Sequence, residues 1–191
     1  MANYISGNSI RAGHVIVYNK DLYRVMKAEH RTPGNKRAFM QAKLRSLKDG
    51  TQTEVKFRAD EEIERATLEQ SEMEFLYEDP TSGYCFMNSE TFEQIFIEAD
   101  VLGDVKLYLL PNSRVTVEFH DGRPIGVQPP ETVELKVVDT EPQLRGATVS
   151  GSGKPATLET GLVVTVPQFV DIGEVIRVST STGAYQERVK G

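Results

Sequence analysis

Four basic side chains lie within eight residues of this chain, on both sides of the dipeptide Pro33-Gly34. They are His30, Arg31, Lys36 and Arg37. Proline fixes φ and glycine permits a positive φ, so the dipeptide predicts a tight turn at the tip of a hairpin. A cationic tip is suited to binding an anionic group such as a phosphate. A hairpin tip that is merely polar and solvated is the alternative.

The net charge of −6 is distributed unevenly along the 191 residues. Lys and Arg outnumber Asp and Glu by 13 to 8 in residues 1–65, but are outnumbered 3 to 12 in residues 66–128 and 6 to 8 in residues 129–191. The three thirds therefore carry charges of +5, −9 and −2. An acidic protein does not coat nucleic acid indiscriminately, whereas a basic first third favours oriented binding to a polyanion.

The segment after the basic loop alternates strictly, which predicts a strand with two distinct faces. One face carries Phe39, Gln41, Lys43, Arg45 and Leu47, and the other carries Ala38, Met40, Ala42, Leu44 and Ser46. The second set is the predicted core face. The first set combines cations with an aromatic ring, which suits phosphate contact and base stacking.

The chain as a whole is predicted to be nearly all β. Strand-like runs recur between turn signals at intervals of roughly eight to twelve residues, which is typical of small barrels. The two shifts in charge and the linker Pro129-Pro130 predict three such barrels, at 1–65, 66–128 and 129–191. A short helix is expected at 89–96 with Ser89 as its N-cap, and a further helical turn at 99–102.

No group of residues indicates catalysis, a metal site or a cofactor. His14, His30 and His120 are far apart and lack ligand-type spacing. Phosphate-loop, dinucleotide and nucleophile-elbow motifs are absent from the sequence. The single cysteine, Cys85, lies in an apolar run and is expected to be a buried core thiol. The lone cysteine, the lack of an apolar run of about 18 residues and a first segment without signal-peptide features favour a cytoplasmic protein.

Four stretches of the sequence resemble bacterial translation elongation factor P. They are 87–94 (MNSETFEQ), 129–135 (PPETVEL), 154–167 (KPATLETGLVVTVP) and 183–189 (GAYQERV). The length also agrees, so the resemblance covers the full chain. The family is related to the hypusine-bearing translation factor of eukaryotes and archaea.

The resemblance implies three β domains in an L shape. An SH3-like or KOW-like barrel with the basic loop (1–65) would be followed by an acidic central OB-fold domain (66–128) and a C-terminal OB-fold domain (129–191). Such a protein is no enzyme and needs no cofactor. As a monomer, it would bind both subunits of the ribosome and their rRNA between the peptidyl and exit tRNA sites. There it would relieve stalling at consecutive prolines by positioning the acceptor end of the peptidyl-tRNA.

By position, the resemblance assigns the basic loop to the tip that points at that acceptor end. The tip residues are Arg31, Thr32, Pro33, Gly34, Asn35, Lys36 and Arg37. Many relatives have Pro-Gly-Lys-Gly there and modify the lysine, but this chain has Asn35 at that place and Lys36 one residue later. We expect an unmodified tip whose charge comes from Lys36 and Arg37; a modified Lys36 is the alternative. Tyr185 and Arg188 match positions that face the small subunit and the anticodon stem.

A generic OB-type protein that binds single-stranded nucleic acid, or a scaffold protein, is the rival interpretation. OB folds bind single strands through basic grooves with aromatic platforms. The charges of −9 and −2 on the second and third segments argue against a continuous basic groove.

Overall fold

The structure is a computed structural model of the chain, and it describes residues 3–34, 37–142 and 153–189. Within these residues, sixteen strands form three antiparallel sheets. The expected all-β fold class is confirmed, whereas the L-shaped arrangement stays a prediction. No helix in the described part of the chain is long and apolar enough to cross a membrane.

The first sheet has six strands in the order β1-β6-β2-β3-β4-β5. They are β1 (Asn3–Ser6), β2 (Val15–Tyr18), β3 (Asp21–Arg31), β4 (Phe39–Ser46), β5 (Gln52–Arg58) and β6 (Glu62–Arg65). A two-residue turn joins β2 to β3, with Asn19 at φ 51° and Lys20 at φ 69°. Positive φ at both central residues matches the twist of the flanking strands, which explains this tight hairpin.

Strand β4 has the two faces that its alternation predicts. Met40, Ala42 and Leu44 are buried in a core with residues of the neighbouring strands, and Ser46 is buried as well. Lys43 and Arg45 are exposed on the other face. The predicted core face is therefore confirmed, and the cationic residues of β4 point away from the core.

The second sheet has five strands in the order β11-β10-β7-β8-β9. They are β7 (Glu69–Asp79), β8 (Gly83–Asn88), β9 (Gln94–Ile97), β10 (Arg114–His120) and β11 (Arg123–Gln128). Phe75, Tyr84 and Phe86 pack together on its buried face, with ring centroids 5.9 and 5.4 Å from that of Phe75. The expected helical turn is confirmed as α1 (Ala99–Leu102), which a 3-10 helix (Gly103–Tyr108) follows.

The expected helix at 89–96 is wrong, because this segment is a turn followed by the edge strand β9. Asn88, rather than Ser89, organises the turn, and its Oδ1 accepts hydrogen bonds from the amides of Glu90 (2.8 Å) and Thr91 (2.9 Å). Phe92 has φ 60°, which interrupts any helix. Pairing with β8 then outweighs local helical preference.

The third sheet has five strands in the order β14-β13-β12-β15-β16. They are β12 (Thr132–Thr140), β13 (Lys154–Leu158), β14 (Val163–Val166), β15 (Val175–Ser179) and β16 (Tyr185–Arg188). Val, Leu, Ile and Ala side chains from the first four strands form its buried core. Tyr185 packs against the edge of that core, which fixes β16 at the end of the sheet.

The chain divides into two compact units. One comprises Met1–Glu69 and Phe119–Ile125, and the other comprises Gln70–Glu118 and Gly126–Gly191. The second unit includes the whole third sheet, and in it the Thr160 hydroxyl donates a hydrogen bond to the Leu107 carbonyl at 2.6 Å. Boundaries at 1–65, 66–128 and 129–191 therefore stay a prediction.

Candidate nucleic-acid interface

The predicted basic loop is the tip of the hairpin formed by β3 and β4. The last pair of the ladder joins Arg31 to Phe39, so residues 32–38 form the connection. Arg31, Thr32, Gly34 and Arg37 are exposed, and Pro33 is half-buried. Asn35 and Lys36 lie outside the described residues. The structure thus brings the described members of the predicted tip together at one end of the first sheet.

Gly34 lies in a turn at the tip and is the last described residue before Asn35. The backbone turns there, but φ of Gly34 does not take a positive value. A Cβ added to Gly34 would meet no atom of the described structure within 4 Å. The next two residues lie outside the described part of the chain, so the tight turn at Pro33-Gly34 stays a prediction.

Glu29 forms ion pairs with two cations near the end of β3. Arg31 Nη2 lies 2.7 Å from Glu29 Oε2, and Lys27 forms an ion pair with the other oxygen. The hydrogen bond and charge of Lys27 are the main cause that lowers the pKa of Glu29, and Arg31 adds to it. Arg31 therefore lies along the strand, while Arg37 forms no ion pair with any residue that the structure describes.

Like charges face each other across β3 and β4 on the exposed side of the first sheet. Arg24 is directly opposite Arg45, and Lys27 is opposite Lys43. Opposed like charges destabilise a sheet. Two such pairs in one ladder, leading to a cationic tip, are an arrangement that a bound polyanion would stabilise. We call the face formed by the half-buried Arg24 and the exposed Lys27, Lys43 and Arg45 the cationic face.

The aromatic ring beside the cationic face, Phe39, is in contact with a lysine. The Lys56 ammonium of β5 lies 5.4 Å from the centroid of the Phe39 ring, and Phe39 is half-buried. The ring therefore fixes a cation in place, and it is not the open stacking platform that its alternation with lysine and arginine suggested. Lys56 was missed from the sequence because its contact with Phe39 depends on the pairing of β4 with β5.

Replacement of Glu29 by Gln tests whether the cationic face binds phosphates. The change removes the carboxylate between Lys27 and Arg31, so binding to a polyanion should tighten, with the salt slope steeper by about one unit. Elution from immobilised heparin, at a series of NaCl concentrations, measures this. Lys43→Gln should elute earlier than wild type. Later elution of Lys43→Gln, or unchanged elution of both variants, would contradict the assignment.

The two remaining predicted site residues lie on the third sheet, in the second compact unit. Arg188 Nη1 donates to Glu174 Oε1 at 2.9 Å, and its guanidinium carbon lies 5.4 Å from the centroid of the exposed Phe169 ring. The pKa of Glu174 is lowered, first by the amide of Asp171 and then by Arg188. Arg188 is thus held in one orientation. Glu174 and Phe169 were missed because only the fold brings these loop residues to β16.

Among the described residues, no three or more His, Cys, Asp and Glu side chains are grouped so that they could hold a metal ion. The structure does contain a set of cations on the β3–β4 hairpin, and an arginine that Glu174 holds on the third sheet. Such groups are suited to binding an anionic partner.

Comparison with known families agrees with this description over nearly the whole chain. A model described as the Elongation factor P (EF-P) KOW-like domain matches residues 6–63. The Elongation factor P (EF-P) OB domain matches residues 68–127, and the model described as Elongation factor P, C-terminal, matches residues 133–188.

Full-length relatives agree as well. Elongation factor P of Acidobacterium capsulatum is 52% identical over 184 residues, which cover 96% of this chain and 98% of the relative. Elongation factor P of Thermotoga maritima is 41% identical, with 96% and 99% coverage. A solved structure of translation initiation factor 5A from Methanococcus jannaschii covers 67% of this chain and 92% of its own, but its TM-score of 0.49 and 13% identity are too low to support an argument.

A KOW-like domain followed by an OB domain and a third β domain defines a translation factor that is not an enzyme. The chain belongs to the elongation factor P family. The predicted family, fold class and non-enzymatic character are therefore confirmed.

Proposed function

We propose that this protein binds the ribosome between the peptidyl and exit tRNA sites and stimulates peptide-bond formation where consecutive prolines stall it. The observation that carries the proposal is the β3–β4 hairpin, whose exposed tip continues the cationic face. Exposed cations at the end of a hairpin suit the phosphates at the acceptor end of a peptidyl-tRNA. The protein would act in the cytoplasm, as a monomer.

The proposed mechanism is positioning. Proline has a hindered secondary amine and a ring that restricts the nascent chain. A rigid partner packed against the peptidyl-tRNA holds the acceptor end in productive geometry, and such positioning removes several kcal/mol of barrier, with an upper range of about 7–11 kcal/mol. It requires no nucleophile or base from the protein.

The tip is proposed to act without modification. Asn35 stands where relatives carry a modified lysine, so Lys36 and Arg37 supply the charge directly. At the other end of the chain, Tyr185 and Arg188 are proposed to contact the small subunit and the anticodon stem. The salt bridge from Arg188 to Glu174 supports this role, because it preorganises the guanidinium. The segments 1–65, 66–128 and 129–191 are proposed as the three domains.

Translation of a Pro-Pro-Pro message in a purified system tests the proposal. The protein is produced in a heterologous host, and its intact mass is first shown to match the bare sequence. Added protein should raise the rate of full-length synthesis at least about tenfold, since each 1.4 kcal/mol of barrier corresponds to a factor of ten. A message without consecutive prolines should respond little.

An unchanged rate on the Pro-Pro-Pro message, even with protein purified from the native host, would reject the proposed function. Activity that only the native-host protein shows would reject the unmodified tip and leave the function standing. A modified Lys36 would then be the explanation to pursue.

A further inference from the structure

Two exposed aromatic rings pack together on the second sheet. Tyr77 of β7 and Phe96 of β9 are 48% and 45% exposed, and their centroids are 6.4 Å apart at an angle of 74°. Both pair with Cys85 of β8 in the strand register. The three residues therefore form one row across three adjacent strands.

This row lies on the face of the sheet opposite to the aromatic core. Tyr84 and Phe86 flank Cys85 in the sequence and pack on Phe75, so Cys85 points the other way. Cys85 is fully buried all the same, and its thiol donates a hydrogen bond to Gln94 Oε1 at 3.8 Å. The neighbouring Cys85 thiol is also the main cause that raises the pKa of the Tyr77 hydroxyl. The predicted burial of Cys85 is confirmed, but the thiol lies beneath the exposed rings, on the outer face. We call this surface the Tyr77–Phe96 face.

Acidic residues surround the Tyr77–Phe96 face. Residues 66–105 contain ten Asp and Glu and no Lys or Arg. Asp79 pairs with Gly83, where an added Cβ would lie 3.4 Å from the Cα of Glu98, so both acids flank the rings at one end of the face. Glu74 lies at the other end, opposite Met87. Amides of Ser82 and Thr81 lower the pKa of Asp79, which keeps it charged.

The chemistry of the face excludes one class of partner and fits another. Aromatic side chains on an OB domain serve as stacking platforms for nucleic acid when cations surround them. Acids in their place repel phosphates. An arginine suits both the rings and the acids of this face, because its guanidinium stacks on aromatic rings and pairs with carboxylates.

We propose that the Tyr77–Phe96 face docks an arginine-bearing protein segment, with guanidinium groups on the rings and the flanking acids neutralising them. The inference rests on the proposed function, in that the segment belongs to a protein component of the ribosome. It gives a role to the acidic segment 66–128, which the cationic hairpin does not explain.

Reversing the flanking charges distinguishes a protein partner from RNA by the sign of the effect. Glu74→Lys combined with Glu98→Lys should weaken binding to purified bacterial ribosomes by about tenfold, because ion pairs with the arginine segment are replaced by repulsion. An RNA partner would instead be bound more tightly. The matched control is Glu131→Lys, immediately before β12, with Asp139→Lys in β12. It makes the same change in net charge at exposed positions and should bind like wild type.

Cross-linking identifies the partner directly. p-Benzoylphenylalanine replaces Phe96, whose ring is exposed, and in a second variant it replaces Arg37 at the tip. With purified ribosomes, the Phe96 position should yield an adduct with a Lys- and Arg-rich protein. An adduct with RNA or with a second copy of this chain, or no adduct while the Arg37 position cross-links, would overturn the inference alone. If neither variant nor the wild-type protein binds ribosomes, the proposed function fails as well.

Discussion

Replacement of both Lys36 and Arg37 by alanine is expected to lower the stimulation of Pro-Pro-Pro synthesis by about tenfold or more. Each factor of ten corresponds to about 1.4 kcal/mol by which the tip no longer lowers the barrier. Arg37 is exposed at the hairpin tip, and Lys36 is its neighbour in sequence. Both side chains are removed while the Pro33-Gly34 backbone is kept. The measurement is the rate of full-length product in the purified translation system, at saturating protein.

The matched control removes the same amount of charge elsewhere. Lys106 and Lys136 are exposed in the second compact unit, outside the proposed tip. Their double replacement by alanine should leave stimulation within about twofold of wild type, because surface charges far from a contact contribute little. Equal losses in the two double variants would mean that net charge, and not the tip, controls activity. Full activity of the tip variant would move the positioning role to other residues.

Phe86→Ala is expected to reduce the opening free energy of the second sheet by about 3–5 kcal/mol, the range for removing a buried aromatic ring. Phe86 is fully buried and its ring centroid is 5.4 Å from that of Phe75. The cavity would lie between β7 and β8, which carry the aromatic core. Native-state hydrogen exchange of the backbone amides in these two strands measures the change, because it reports the opening of that sheet by itself.

Phe96→Ala provides the comparison within the same sheet. Phe96 lies on the outer face, is 45% exposed, and contacts Tyr77. Loss of the Phe96 ring should lower the opening free energy of the sheet by about 1 kcal/mol, since such ring pairs contribute about 0.5–1.5 kcal/mol. If Phe86→Ala does not fold, Phe86→Leu keeps the test available, with a smaller expected loss. Similar effects of Phe86→Ala and Phe96→Ala would contradict the assignment of the two faces.

Strand periodicity and hairpin chemistry were predictable from local sequence. Met40, Ala42 and Leu44 are buried because a side-chain period of two leaves a strand only one way to bury its apolar set. The basic hairpin follows from two such strands flanking a loop with proline and glycine. The helix expected at 89–96 does not form, because the turn at Asn88 and the pairing of β9 with β8 outweigh the local N-cap signal.

The site was predictable in outline and not in its contacts. The sequence by itself determined the family, the position of the basic tip and the charge of each third, because these depend on residue identity and order. Only the tertiary structure decided that Lys27 and Lys43 face each other, that Lys56 covers Phe39, and that Phe169 lies beside Arg188. It also placed Cys85 beneath Tyr77 and Phe96. These contacts join neighbouring strands, or a loop and a strand. They are determined by strand register and packing, which depend on the whole sheet.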